Sequence, residues 1–376
     1  MSHIFSQVTI NAIKVPGNTS DIGPTSKAWL SARYQNILLY PQITIELDEI
    51  NKQNMGVTKV KVKAIYDGKN ISILLKWRDN SKSPEEKIDP ISYADGYAIQ
   101  LPIQFDDAKK LPYIGMGSKG RTVIVMYNKV TLPRCEQVGN SEFVEYVDES
   151  SQQIFGFFLE NRHEKPQSSE LQRIYIGQGY RNFREVQDKN IDVKMHMLYK
   201  KGFWRGTISM PLKSKYLNID KGEFPISFAI WYGDKKNRGA SKIISPWIGV
   251  NLEGKDSKNK LVRELSEEAK GDVRNGERLA KENCAACHIY ANQKNAPKFM
   301  APNLSNIGGY STKEYLKESI INPNAILVPG YEKDENRIFS WYDIDEKGDR
   351  VSAMPSYDWL DEKSIEDLVA FFMSQK

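Results

Sequence analysis

Two of the three cysteines in this 376-residue chain stand three positions apart and are followed at once by a histidine: Cys284-Ala285-Ala286-Cys287-His288. Two thiols one turn apart at a helix end reach the two vinyl groups of a single porphyrin and form thioethers. The adjoining histidine then falls beneath the iron as an axial ligand. Other uses of such a pair fit poorly. A zinc site needs a second pair of ligands, and the one remaining cysteine, Cys135, stands apart. A thioredoxin-like redox pair sits in a βαβ unit, and the surrounding chain does not read as one. The expectation is one covalent haem c, attached through Cys284 and Cys287, with His288 on the iron. Three cysteines also exclude a disulfide framework.

The chain on either side of residue 253 follows two different patterns. In residues 1–252, Val60, Val62 and Ala64 alternate with Lys59, Lys61 and Lys63. Asp67-Gly68-Lys69-Asn70 then turns the chain, and Ile71, Ile73, Leu75 and Trp77 alternate on the way back, which predicts a hairpin. Further short strands are predicted at 97–103, 121–127, 154–159, 225–232 and 247–252. A second hairpin is predicted from 191–199 to 203–210. Many short strands between turn signals predict an all-β sandwich or barrel. Residues 253–273 are polar and highly charged, with Leu261, Val262 and Leu265 at near-helical spacing, and read as a charged linker with a helical piece. Residues 274–376 are helical in pattern. Asn275 is the predicted cap of 276–283, Ser311 or Thr312 that of 313–320, and Ser364 opens 365–374, whose apolar stripe is Leu368, Val369, Phe371 and Phe372.

Charge follows the same division. Residues 274–376 hold 13 basic and 16 acidic side chains, and the preceding residues hold 40 and 32. Opposite signs suit either two separately solvated modules or modules whose fields orient them. The overall excess of +5 is too small to argue nucleic-acid binding. No apolar run is long enough for a membrane-spanning helix.

Residues 274–376 resemble a class I cytochrome c. Gly276, Leu279 and the haem motif match that family's first helix, 366–373 its last, and Pro302-Asn303-Leu304 the loop after the motif. The resemblance implies that the two helices cross where Gly276 admits Phe371 or Phe372. It also implies a distal methionine in a Met-Pro dipeptide before the last helix, and Met354-Pro355 stands there. Met300 is the competitor for that role, and Met373 reads as core. A histidine–methionine pair favours ferrous iron and leaves no open coordination position, which suits outer-sphere electron transfer.

Residues 25–252 carry a second, looser resemblance. Pro112-Tyr113-Ile114-Gly115-Met116-Gly117 precedes a strand. Ala229-Ile230-Trp231-Tyr232-Gly233-Asp234 leads to Arg238-Gly239-Ala240-Ser241-Lys242 and Trp247. Both segments are similar to the haem b-binding gamma subunits of the type II dimethyl sulfoxide reductase family, which includes ethylbenzene dehydrogenase, selenate and chlorate reductases and nitrite oxidoreductase. The resemblance implies a β-sandwich with one non-covalent haem b, its iron ligated by Met116 and Lys242. A lysine ligand must be neutral, and holding it so at pH 7 costs about 4–5 kcal/mol against its ordinary pKa. An apolar setting, here Ile243, Ile244 and Trp247, lowers that cost. On residue type alone, Met116 reads as core or turn and Lys242 as a solvated loop residue. His196, mid-strand, is the rival ligand. His163 reads as solvated, and Cys135 as a structural thiol.

The expected function is therefore that of an electron-transfer subunit, with no catalytic centre of its own. It relays electrons through haem b and haem c between iron–sulfur and molybdopterin partner subunits and a soluble cytochrome or other acceptor. The cytochrome fusion resembles gamma subunits of some nitrite oxidoreductases. Residues 331–376 hold 12 acidic and 6 basic side chains. A basic cytochrome docking there would be salt-sensitive. The rival is a free-standing cytochrome whose sandwich binds a small ligand or polysaccharide. No export signal is legible in residues 1–15, yet covalent haem attachment in c-type cytochromes takes place outside the cytoplasm, so a periplasmic or other extracytoplasmic location is expected.

Overall fold

The computed structural model describes residues 9–43, 56–84, 93–131, 169–179, 182–186, 191–237, 239–255, 260–290, 293–297, 300–328 and 340–376. The predicted strand at 154–159, His163 and Cys135 lie outside the described residues.

The alternating lysines and aliphatics of the first hairpin form β3 (Thr58–Tyr66) and β4 (Asn70–Arg78), with Val60, Val62 and Ala64 buried and Lys59 and Lys61 exposed. The turn is held by the Asp67 carboxylate, which accepts from the Lys69 and Asn70 amides at 2.7 Å each. Such side-chain capping of a turn is why aspartate precedes glycine there. Around the hairpin stand β1 (Ile10–Lys14), β2 (Gln35–Pro41), β5 (Gly96–Pro102), β6 (Val123–Thr131), β7 (Ser169–Gly177) and β8 (Phe183–Glu185). They are followed by β9 (Lys194–Lys200), β10 (Phe203–Pro211), β11 (Glu223–Trp231), β12 (Ile243–Ile244) and β13 (Ile248–Leu252).

These thirteen strands form one hydrogen-bonded sheet in the order β8-β7-β6-β5-β11-β12-β2-β3-β4-β10-β9, with β13 bonded to β1 and β11, and β1 also to β3. The sheet folds over into two layers. Trp77 of β4 meets Tyr97 of β5 at 5.9 Å, and the Tyr97 hydroxyl donates to the Thr207 carbonyl of β10 at 2.7 Å. Between the layers lies the main core, with Ile37, Val62, Ile73, Ile99, Ile208 and Phe228 at 0–2% exposure. Strand alternation then fixes the far face of the β7-β6-β5-β11-β12-β2 half. Val125, Ala98, Ala229, Ile244 and Tyr40 lie there, in register across five strands or their direct neighbours.

The helical part covers that face. Helix α1 (Lys260–Ser266) lies within the predicted linker but is docked, with Leu261 and Leu265 buried. Helix α2 (Val273–Asn283) starts at Asp272, not Asn275 as expected. The Asp272 carboxylate caps it, while the Asn275 amide is taken by buried Asp367, 2.7 Å away. Helix α3 (Lys313–Ile321) is capped by Thr312. Helix α4 (Glu362–Ser374) begins three residues before the predicted 365, because Asp361 rather than Ser364 accepts the first free amide. Gly276 is where α2 crosses α4: a Cβ there would collide with the Asp367 carbonyl and Phe371. Tyr290 stands edge-on to Phe371 and Phe372 at 5.6 and 5.7 Å. The described residues of the C-terminal part also include a small hairpin, β14 (Tyr342–Ile344) with β15 (Arg350–Ser352).

The two parts share one buried cluster. It runs from Ala98, Val125, Ala229 and Trp247 on the sheet to Ile307, Tyr310 and Leu316 on the helical side. Polar and aromatic contacts cross the boundary. Arg121 grips Glu318 with two hydrogen bonds of 2.7 and 2.5 Å, Tyr113 stacks near Tyr315 at 5.2 Å, and the Asn306 amide donates to the Pro41 carbonyl at 2.5 Å. Gly309 faces Tyr40 so closely that a Cβ would run into the ring.

Candidate haem-binding sites

Helix α2 ends at Asn283, and its last turn presents the cysteine motif. The Cys287 and His288 amides both donate to the Cys284 carbonyl, at 3.1 and 2.9 Å, so the two thiols and the imidazole are displayed within a single turn. Burial pushes the Cys284 thiol up to about 12, with Cys287 adding to the effect. A thiol so held is not the reactive thiolate a redox pair requires. His288 is buried, and its Nδ1 lies 2.8 Å from the Pro302 carbonyl. A carbonyl only accepts, so Nδ1 carries the proton and Nε2 keeps its lone pair. Burial also holds the imidazole below its ordinary pKa, opposed by the Pro302 bond. A neutral ring oriented through its other nitrogen is the arrangement a metal ligand needs.

The segment holding Met354 is tied to this turn. Tyr357 donates to the Asn283 carbonyl at 2.7 Å, three residues beyond Met354, and burial followed by the charge of the two cysteines raises the Tyr357 phenol. Met354 is half-buried. Met300 is also half-buried, in the turn after Pro297, and Met373 lies on α4 packed into the core. The residues present suit a covalent haem: two thiols, one oriented neutral imidazole, and a methionine segment anchored to the same helix end.

The second candidate site is spread over the sheet face described above. Its floor is made of small residues, Ala98 and Ala229, flanked by Tyr127, Tyr175, Trp231 and Tyr40. Met116 stands at one side, in the loop before β6. It is held in the left-handed backbone region at φ 72°, its carbonyl takes the Gly179 amide at 3.2 Å, and its side chain packs against the shared cluster. Lys242 stands at the other side, immediately before β12. Its Nζ lies 3.3 Å from the Gly239 carbonyl and 5.7 Å from the centre of the Trp231 ring, and it forms no ion pair among the described residues. Burial lowers this lysine from its ordinary value to about 8. A lysine drawn into aromatic surroundings without a carboxylate gives up its proton more easily than an exposed one, and with a thioether it makes a donor set suited to haem iron. His196 is on the outer edge strand β9, with its Nε2 engaged by Asp21 at 2.6 Å.

Comparison with known proteins decides the affiliation. The family model described as ethylbenzene dehydrogenase matches residues 26–242. The chain belongs to the ethylbenzene dehydrogenase family. A cytochrome c family model matches residues 273–376, behind it in the chain. Together they give this family member a haem-containing electron-transfer role, with haem c in the C-terminal module. No curated protein matches. Among solved structures, similarity runs to a family 9 carbohydrate-binding module from Caldicellulosiruptor kristjanssonii in complex with cellotriose (10% identity, 67% of this chain and 96% of that one, TM-score 0.32). It runs also to a Bacteroides uniformis protein described as carbohydrate-binding (9%, 66% and 100%, 0.34). Scores this low carry no argument about ligand.

Sequence reasoning did not find the residues that join the two sites. Tyr40, Pro41, Asn306 and Gly309 bring the cytochrome loop onto the sheet face. Gly308-Gly309 was the available signal, since adjacent glycines mark a place where backbones approach.

Proposed function

We propose that this ethylbenzene dehydrogenase family member is the electron-transfer subunit of a molybdenum oxidoreductase complex, relaying electrons between an iron–sulfur subunit and an external acceptor. Met116 and Lys242 ligate a haem b on the sheet. Cys284 and Cys287 tether a haem c, with His288 and Met354 as its axial ligands. The observation that carries this reading is that the cytochrome module packs on the very face that Met116 and Lys242 border. Each haem supplies one-electron chemistry. The chain's own residues orient the ligand atoms, exclude water from the boundary and hold the two modules together. The catalytic centre belongs to a molybdopterin-bearing partner, and the fusion of modules makes a nitrite oxidoreductase the favoured complex. The cytochrome c module supports a periplasmic or other extracytoplasmic location, and among the described residues no helix is long and apolar enough to cross a membrane.

The test is Lys242→Ala. It should abolish the extractable b-type haem while the covalent haem and its spectrum persist. Retention of a normal low-spin b-type signal would remove Lys242 from the site.

A further inference from the structure

The peptide group between Pro41 and Gln42 is hydrogen-bonded at both ends, and its two partners belong to different modules. Its carbonyl accepts from Asn306 Nδ2 at 2.5 Å. Its N–H donates to the Lys242 carbonyl at 2.9 Å. On the cytochrome side, the Leu304 amide, two residues before Asn306, donates to the Ile289 carbonyl at 2.7 Å, and Ile289 adjoins His288. The Pro302 carbonyl that orients His288 lies in the same short loop. A sequence of covalent and hydrogen bonds therefore runs from His288 through Ile289, Leu304, Asn306 and the 41–42 peptide to Lys242, with no through-space gap.

The Asn306 Oδ1 is buried with no hydrogen-bond partner among the described residues, an unfavourable arrangement that offsets part of what its contact with Pro41 contributes to docking. The amide cannot be turned to relieve this, because two carbonyl oxygens would then face each other. Hydrogen bonds in series polarise one another, so the doubly bonded 41–42 peptide strengthens both of its contacts. Electronic coupling also decays more slowly along bonds and hydrogen bonds than across van der Waals gaps.

We propose that Asn306 is a positioning residue for electron transfer between the two haems: it closes a hydrogen-bonded bridge, through the Pro41–Gln42 peptide, from the loop that orients His288 to the backbone of Lys242. This rests on the assignment of His288 and Lys242 as iron ligands. The electron passes singly from one iron to the other, and no bond forms or breaks.

The experiment is photochemical reduction of the full, haem-loaded chain by a tethered dye, following re-equilibration between the c-type and b-type absorption bands. Three variants are compared with the native protein. Asn306→Ala removes the donor, Asn306→Asp keeps the shape without the N–H, and Arg121→Ala loosens the module boundary elsewhere by breaking the Glu318 contact. The expected result is a several-fold slower re-equilibration in both Asn306 variants, with haem contents, spectra and potentials of both haems unchanged, and a near-native rate in Arg121→Ala. A native rate in either folded Asn306 variant would overturn the bridge. Equal slowing in all three would overturn it too, since general docking would then suffice. The Lys242→Ala haem content reads the ligand assignment separately: haem b lost there, with a native rate in the Asn306 variants, refutes the bridge alone.

Discussion

The two candidate haem sites of this chain are built in opposite ways. The C-terminal site is local. Cys284, Cys287 and His288 lie within one turn, and a covalent tether asks only that this turn end a helix. The sheet site is distributed. Met116 comes from a loop before β6, Lys242 from the approach to β12, and the floor from β5, β6 and β11, all brought together by register. A tethered cofactor can be held by a motif, whereas a cofactor held without covalent bonds needs a preformed face assembled from residues more than a hundred positions apart. Lys242 illustrates the consequence: only the folded sheet places it beside Trp231 and lowers its pKa to about 8.

The comparison can be broken first at the local site. Met354→Ala should lower the haem c potential and open its iron to added ligands, because a soft thioether no longer favours the ferrous state, and it should leave the b-type signal untouched. Redox titration of both haems checks this. An unchanged potential would move the ligand to Met300.

A second perturbation is aimed at the boundary. Gly309→Val would drive side-chain atoms into the Tyr40 ring and should destabilise the docked arrangement by about 1–3 kcal/mol, the usual cost of overpacking. The distributed site should suffer more than the local one. The expected readout is faster loss of haem b on dilution, with covalent haem c spectrally intact; equal retention of haem b would mean that the sheet face holds its cofactor without the cytochrome module.

The smallest effect is expected from a remote anchor of the sheet site. Asp95 is buried and accepts from the Ser83 amide, the Trp204 indole and the Gly233 amide just past Trp231. Burial, then the nearby Asp79 carboxylate, pushes its carboxyl up to about 7. Between pH 4 and 7 the folded chain thus binds a proton that the unfolded chain does not, so stability from this group falls as pH rises through that window and levels off above it. Asp79→Asn removes the like charge and should flatten that slope. Thermal unfolding of the full chain across pH 4 to 8 checks it, and an unaltered slope would exclude the pair.

Much of the fold was legible because its signals are local. The alternation at 59–64 and the Asp-Gly turn gave the first hairpin, whereas the crossing of residues 276 and 371 came only from the resemblance to class I cytochrome c. Helix starts were misread where two good caps compete. Asp272 and Asp361 win over Asn275 and Ser364 because Asn275 is bonded to Asp367 and the Ser364 amide is itself the group being capped. The docking of the supposed linker was hidden, since a helix with two buried leucines looks like any charged segment until its partner strands are in place. For the same reason Asn306 and Pro41 carried no sequence signal: their roles exist only where two modules 265 positions apart meet.

The central claim is that one chain carries two haems held by these two different strategies. Its most direct test is a pyridine haemochrome spectrum of the native protein before and after acid-acetone extraction. The account predicts one extractable b-type haem for every covalent c-type haem. A single, non-extractable c-type haem in protein never stripped of cofactor would contradict it and leave the sheet face without its proposed occupant.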